Sequence, residues 1–352
     1  MRVLKVINTK ENDIYSYTAM VSALEFKKRG HEIKVLANNI DFVKEFASKN
    51  QIDISFIDFS YLTGYRNIGD FDVIEIYGYT KLNHFLLKGL LKKKCIKILK
   101  ICSFCDEAFK NFIKENLKSF SLITVLSKSL KDELIFDGVR DDKIFCLNPV
   151  ITGRWETAKG IRVFTTIARP YRVITVYRKK KIKELELFLM IAREILKLNS
   201  DVNFSIVGVK DEELREIARN WGISHKIDML GWREDMPEVM ATSHIYLKPS
   251  LESDISRSVL EAMYSGVVVV SSDTKGISDF IISDYNGMVV RSGNIQSYVK
   301  AVLSLINEPA KYQTISTVSY NYALANFRVD IITKVEEILY DEFMISQKGD
   351  RS

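Results

Sequence analysis

The chain has no apolar run approaching the roughly 20 residues needed to span a bilayer, and its opening, MRVLKVINTKEND, lacks the apolar core of a secretory leader. A cytoplasmic protein is therefore expected. Cysteine is scarce: Cys95, Cys102, Cys105 and Cys146 are too few to staple 352 residues, so reduced thiols are expected. The lone Cys102/Cys105 pair has no second ligand pair at zinc spacing, and buried thiols are the better reading. With only four histidines, no Ser/His/Asp or Cys/His constellation emerges. Aromatic and basic residues do not interleave as in single-strand binders, so nucleic acid is not an expected partner. The basic excess is modest and sits early: residues 1–150 hold 24 Lys and Arg against 19 Asp and Glu, the remainder 27 against 26. What is present is a globular composition at a length that suits two domains.

The chain opens strand, helix, strand. RVLKVI is a short apolar strand, Tyr15 to Phe26 is apolar-periodic, and Lys27, Lys28 and Arg29 before Gly30 give the cationic last turn and glycine that end a helix. HEIKVLA returns as a second strand, so the unit is βαβ and its sheet parallel. The alternation recurs to about residue 150, where Asn148 and Pro149 break it and the connection to a second domain is expected. The second series is read as a strand at 163–167, a basic segment 169–183 and a long helix from Glu184, followed by further strands and helices. A last helix from Val329 is expected to lie back across the first domain.

One stretch carries the chemistry: PSLESDISRSVLEAMYSGVVVVSSDTKGISDFIISDYNG, residues 249–287. Pro249 and Ser250 close a strand, and small polar residues lead into a helix expected to begin near Ser256. The first turn of a helix has backbone N–H groups without intrahelical partners and carries partial positive charge, so it can hold a diphosphate. Glu261 sits about one turn in, where an acid is also simply favourable. Val267 to Val270 reads as a parallel strand covered on both faces.

These residues, with KKRGHEI, FDVIEIYG, LITVLSKSLKDEL, FSIVG, IDMLGWREDMPEVM and NGMVV in order, resemble the retaining, nucleotide-sugar-dependent glycosyltransferases of family four. The resemblance implies the GT-B fold, two doubly wound Rossmann-like α/β domains facing a cleft. Residues 1–150 would be the acceptor side, with a helix at about 326–345 packing back on it, and 151–325 the nucleotide-sugar side. It implies a UDP-, GDP- or dTDP-sugar as donor, no other cofactor and no metal, and a glycan, lipid-linked or other hydroxyl acceptor. Glu261 would accept from the ribose hydroxyls, since an ionised carboxylate takes two such bonds at once. The backbone around Ser256, Arg257, Ser258 and Val259 would hold the diphosphate, and Ser253, Asp254, Ile255 and Ser256 would approach the sugar. A cationic clamp is expected from Arg169 or Arg178 with Lys180 or Lys181.

Three departures from the family pattern stand out. The position eight residues before Glu261 is Ser253 and not an acid. The loop Asn8 to Ile14 contains no glycine, so backbone from the first domain cannot approach a diphosphate closely. The histidine often found after the Asp-Val-Ile strand is replaced by Glu75 or Tyr77. The glycine-free loop and the missing first acid motivate an alternative, a GT-B protein that binds nucleotide or a partner without transfer. Phe85 to Lys100, FLLKGLLKKKCIKILK, reads either as helix, turn and strand or as a peripheral membrane patch.

Overall fold

The computed structural model describes residues 1–9, 13–57, 68–80, 83–151, 169–177, 181–253 and 255–349. It divides into two compact units, Met1–Thr152 with Phe327–Ser352, and Gly153–Asn326.

The first unit is a seven-stranded parallel sheet in the order β3-β2-β1-β4-β5-β6-β7. Its strands are β1 (Arg2–Ile7), β2 (Glu32–Ala37), β3 (Asp53–Phe56), β4 (Val73–Tyr77), β5 (Ile96–Ile101), β6 (Leu122–Val125) and β7 (Ile144–Cys146). Helices α1 (Ile14–Lys28), α2 (Asp41–Asn50), α3 (His84–Leu90), α4 (Glu107–Asn116) and α5 (Lys128–Phe136) connect them. Strand order reverses between β1 and β4. β4 stops at Gly78, whose φ of +75° suits only glycine and where a Cβ would stand 2.8 Å from Thr9 Cγ2. The glycine-free loop after β1 ends in a capping box: the Asp13 carboxylate accepts from Ser16 N at 2.9 Å, and Asp13 N donates to Ser16 Oγ at 3.0 Å.

Polar residues lie in the core of this unit where sequence periodicity expects apolar ones. Lys5 on β1 donates to Glu75 on β4 at 2.7 Å and to Ser22 on α1 at 3.1 Å. The last helix, Val329–Gly349, brings Glu336 onto Lys100 of β5 and Tyr340 onto Glu75 at 2.9 Å, and Ser22 donates to Glu336 at 3.1 Å. All four charges are buried. Burial alone would raise the Glu75 carboxyl, but Lys5 and Lys100 beside it hold it below its ordinary value. Burial likewise opposes the Lys100 ammonium, yet Glu336 and Glu75 keep it raised. Glu75 and Tyr77, the two residues read in place of the family's histidine, therefore both face this network.

The second unit is a six-stranded parallel sheet, β10-β9-β8-β11-β12-β13. The strands are β8 (Tyr171–Val176), β9 (Val202–Val207), β10 (Ile227–Gly231), β11 (Ile245–Lys248), β12 (Val268–Ser272) and β13 (Met288–Val290). Helices α6 (Ile182–Leu198), α7 (Glu212–Asn220), α8 (Met236–Ala241), α9 (Arg257–Tyr264), α10 (Ile295–Asn307) and α11 (Pro309–Asn326) complete it. The expected strand at 163–167 lies outside the described residues. β8 instead occupies Tyr171–Val176, inside the segment read as basic, because Arg172 alternates outward while Val173 and Ile174 are buried. Val267 to Val270 are fully buried, as a central parallel strand requires. With both units doubly wound, the α/β class and paired Rossmann-like organisation expected from the sequence hold.

Candidate functional site

In an open parallel sheet a ligand crevice forms beyond the C-terminal ends of the strands, where the strand order reverses. In the second unit that point lies between β8 and β11. Tyr177 follows β8, and Lys248 ends β11 with its Nζ 4.0 Å from the centre of the Tyr177 ring. The first turn of α6 brings in Glu184, buried like Lys248 and 3.5 Å from its ammonium. Glu184 also accepts from Leu251 N at 3.2 Å, and Lys181 at the N-cap of α6 stands 3.4 Å from Glu184 and 3.6 Å from Glu252. Burial, and then the Glu184 charge, push the Tyr177 phenol well up, so it stays neutral.

This cluster sets the path of the loop after β11. The Ser250 carbonyl accepts from Ser272 Oγ at 2.5 Å and Ser292 Oγ at 2.8 Å, and Ser272 pairs with Tyr298 at 2.7 Å. Burial raises the Tyr298 hydroxyl to about 12, leaving it a neutral hydrogen-bonding group. Ser272→Ala should therefore lower the unfolding free energy of this unit by about 1–2 kcal/mol, read from urea unfolding.

The loop delivers the chain to α9. Ser256 occupies the N-cap but makes no capping bond; its hydroxyl meets Ser258 Oγ at 3.0 Å, and Ser258 meets Tyr246 at 2.7 Å. No side chain of the helix's own cap thus competes at its positive end. One turn in, Glu261 is 5% exposed with Arg257 Nε 2.9 Å from its carboxylate. Contrast α1 in the first unit, whose N-terminus is closed by the half-buried Asp13, a carboxyl that partial burial raises.

The expected residues sort clearly. Ser253, Ile255, Ser256, Arg257, Ser258, Val259 and Glu261 all lie on this loop and helix, but Ile255 and Val259 are buried apolar side chains and offer only backbone there. Lys181 is at the same end of the sheet. Arg178, Lys180 and Asp254 lie outside the described residues. Arg169 is a correction: it precedes β8, at the opposite end of the strand, where its guanidinium meets Asp201 at 2.8 Å. Six strand residues put roughly 20 Å between the two ends. Sequence reasoning passed over Glu184 and Lys248; a lysine closing the apolar strand IYLK was the one available signal.

Other titratable groups stay apart from the site. His244 precedes β11 and accepts from Arg172 N at 3.0 Å, and burial, then Arg172, lowers its pKa to about 4. Burial pushes the Cys105 thiol up to about 12 and Cys102 well up, so both are unreactive as thiolates. Among the described residues no three His, Cys, Asp or Glu side chains converge as a metal site.

Residues 170–308 match the family described as "Glycosyl transferases group 1". The UDP-Gal:alpha-D-GlcNAc-diphosphoundecaprenol alpha-1,3-galactosyltransferase of Escherichia coli is 23% identical over 42% of this chain and 38% of its own. The N,N'-diacetylbacillosaminyl-diphospho-undecaprenol alpha-1,3-N-acetylgalactosaminyltransferase of Campylobacter jejuni is 26% identical over 55% and 43%. The alignments span 37 to 54% of the length of the first curated relatives. Among solved structures, Anabaena HepE in complex with UDP superposes with a TM-score of 0.82 over 97% of this chain and 100% of its own at 16% identity. The strand orders, the two doubly wound units and the match over the second of them make this chain a GT-B protein related to the glycosyl transferases of group 1.

Proposed function

We propose that the protein is a glycosyltransferase that moves a sugar, with retention, from a nucleotide diphosphate sugar to a hydroxyl acceptor, without an essential metal. The observation that carries this reading is the buried Glu261 one turn into a helix whose N-cap residue, Ser256, makes no capping bond, at the switch point of the second sheet. Glu261 takes the ribose hydroxyls and the first turn of α9 takes the diphosphate. Lys181, with Arg178 or Lys180, offsets charge that develops on the leaving phosphate, and Asp254 and Ser253 border the sugar. The leaving phosphate itself helps deprotonate the acceptor, which accounts for a reaction without a dedicated base. HepE is known with UDP and UDP-glucose, so UDP-sugars head the donor panel.

The first unit suits the acceptor. Its switch point is lined by neutral amides: Asn83 donates to Asn8 at 2.7 Å and to Asn38 at 3.1 Å, and Thr80 donates to Asn8 at 3.0 Å. Amides and hydroxyls match sugar hydroxyls, while the capped, acidic start of α1 repels a diphosphate. A lipid-linked acceptor would call for membrane contact through Phe85 to Lys100. That patch is smaller than its sequence implies, because Lys100 is buried on Glu336 and Lys93 and Lys97 donate to backbone carbonyls; Phe85, Lys88, Lys92 and Lys94 remain exposed.

The test is incubation with UDP-, GDP- and dTDP-sugars against hydroxyl acceptors, including diphospho-polyprenol-linked sugars, in the presence of a chelator. Acceptor-dependent release of nucleoside diphosphate and a product with the donor's anomeric configuration are expected. An inverted product overturns retention. Donor binding with no transfer supports the second reading, a nucleotide-binding GT-B protein, which Ser253 in place of an acid and the closed start of α1 favour.

A further inference from the structure

The last helix, α12 (Val329–Gly349), has one face committed to the first unit through Glu336 and Tyr340 and another face uncovered. Three isoleucines stand on the uncovered face at intervals of seven: Ile331 at 38% exposure, Ile338 at 52% and Ile345 at 70%. With Lys334, Asp341 and Glu342 they form a stripe about 100° wide. Branched apolar side chains repeated so regularly on an exposed helix are what a second helix covers.

We propose that this face pairs two copies of the chain, α12 against α12, antiparallel about a two-fold axis at Ile338. The isoleucine spacing is self-complementary in that arrangement, which is also the one that sets opposite charges against each other. Ile338 meets its own copy, Ile331 meets Ile345 of the second copy, and Lys334 meets Glu342 of the second copy. The isologous rule, that residue i contacts j and j contacts i, is satisfied by every pair. A parallel pairing would instead set Lys334 against Lys334 and Glu342 against Glu342. Lys334 and Glu342 are both exposed, so both are available across the axis. The isoleucine layers span about 21 Å of helix. One helix pair is small against the roughly 1,200 Å² of stable interfaces, so association should be concentration-dependent.

Sedimentation equilibrium of the full chain from low to several hundred micromolar tests this. Wild type should dimerise, and Ile338→Lys should be monomeric with an unchanged circular dichroism melt, since this position is half exposed. Lys334→Glu and Glu342→Lys should each weaken dimerisation about tenfold or more, because each sets like charges opposite one another twice. An equimolar mixture of those two variants should then recover dimers, as heterodimers with one charge pair as in wild type and the other reversed. Wild type that stays monomeric throughout overturns the proposal. So does a dimer indifferent to both charge reversals, or a mixture that fails to recover association.

Discussion

Glu336→Ala is expected to destabilise the first unit by about 3–5 kcal/mol, the cost of breaking a buried ion pair and leaving one charge uncompensated. The carboxylate that disappears is the partner of Lys100 and the acceptor for Ser22, and its helix carries Tyr340, which donates to Glu75. Two lysines would then share Glu75 in a buried setting, where an uncompensated charge is costly. For a unit of this size the loss should appear as a fall in melting temperature of about 10 °C, read by calorimetry. Lys100→Met combined with Glu336→Leu removes both charges and should recover most of that loss, because an apolar pair of similar volume avoids the desolvation cost. The network also sets a pH dependence. Glu75, held below its ordinary value, contributes stability that is present above the unfolded carboxyl range and lost as pH falls through its folded value. Lys100, held above its ordinary value, contributes stability present below the unfolded lysine range and lost as pH rises through its folded value.

Glu261→Ala is expected to weaken nucleotide-sugar binding about 100-fold, the equivalent of losing two hydrogen bonds from hydroxyls to an ionised acceptor. Glu261→Gln keeps one carbonyl acceptor and loses the charge, so about a tenfold loss is expected. The ribose is remote from the reacting bond and is held alike in ground and transition states. The loss should therefore fall mainly on KM and leave kcat nearer wild type. Arg257, 2.9 Å from this carboxylate, loses that ion pair in both variants, but its side chain is 17% exposed and can turn to water. The fold should survive.

The alternation of short apolar strands with periodic helices made both doubly wound sheets legible, because that signal is local. α4 was legible and passed over: Asp106 caps it and Phe109, Phe112 and Ile113 form its buried face. β7 and β13 are three-residue edge strands, too short for any period to register. β8 was hidden by the cations around it, and misplacing it is why Arg169 entered as a clamp. Glu261 and the small polar run before it could be read because an N-terminus and its first turn occupy adjacent residues. Lys248 and Glu184 are 64 residues apart, and the four core charges span residues 5 to 336. Such pairs depend on sheet register and helix docking, which no local pattern reports. Lys100 in particular looked like one more surface lysine beside an apolar strand.

The proposed function stands or falls on whether α9 and Glu261 form a nucleotide-sugar site. Isothermal titration of the full chain with UDP-glucose, UDP-galactose, UDP-N-acetylglucosamine and their GDP and dTDP counterparts tests it most directly, with Glu261→Ala alongside. One site per chain is expected for at least one of these donors, with a roughly 100-fold weaker affinity in the variant. Absence of binding by every donor, or equal affinity for the preferred donor in wild type and Glu261→Ala, would contradict it.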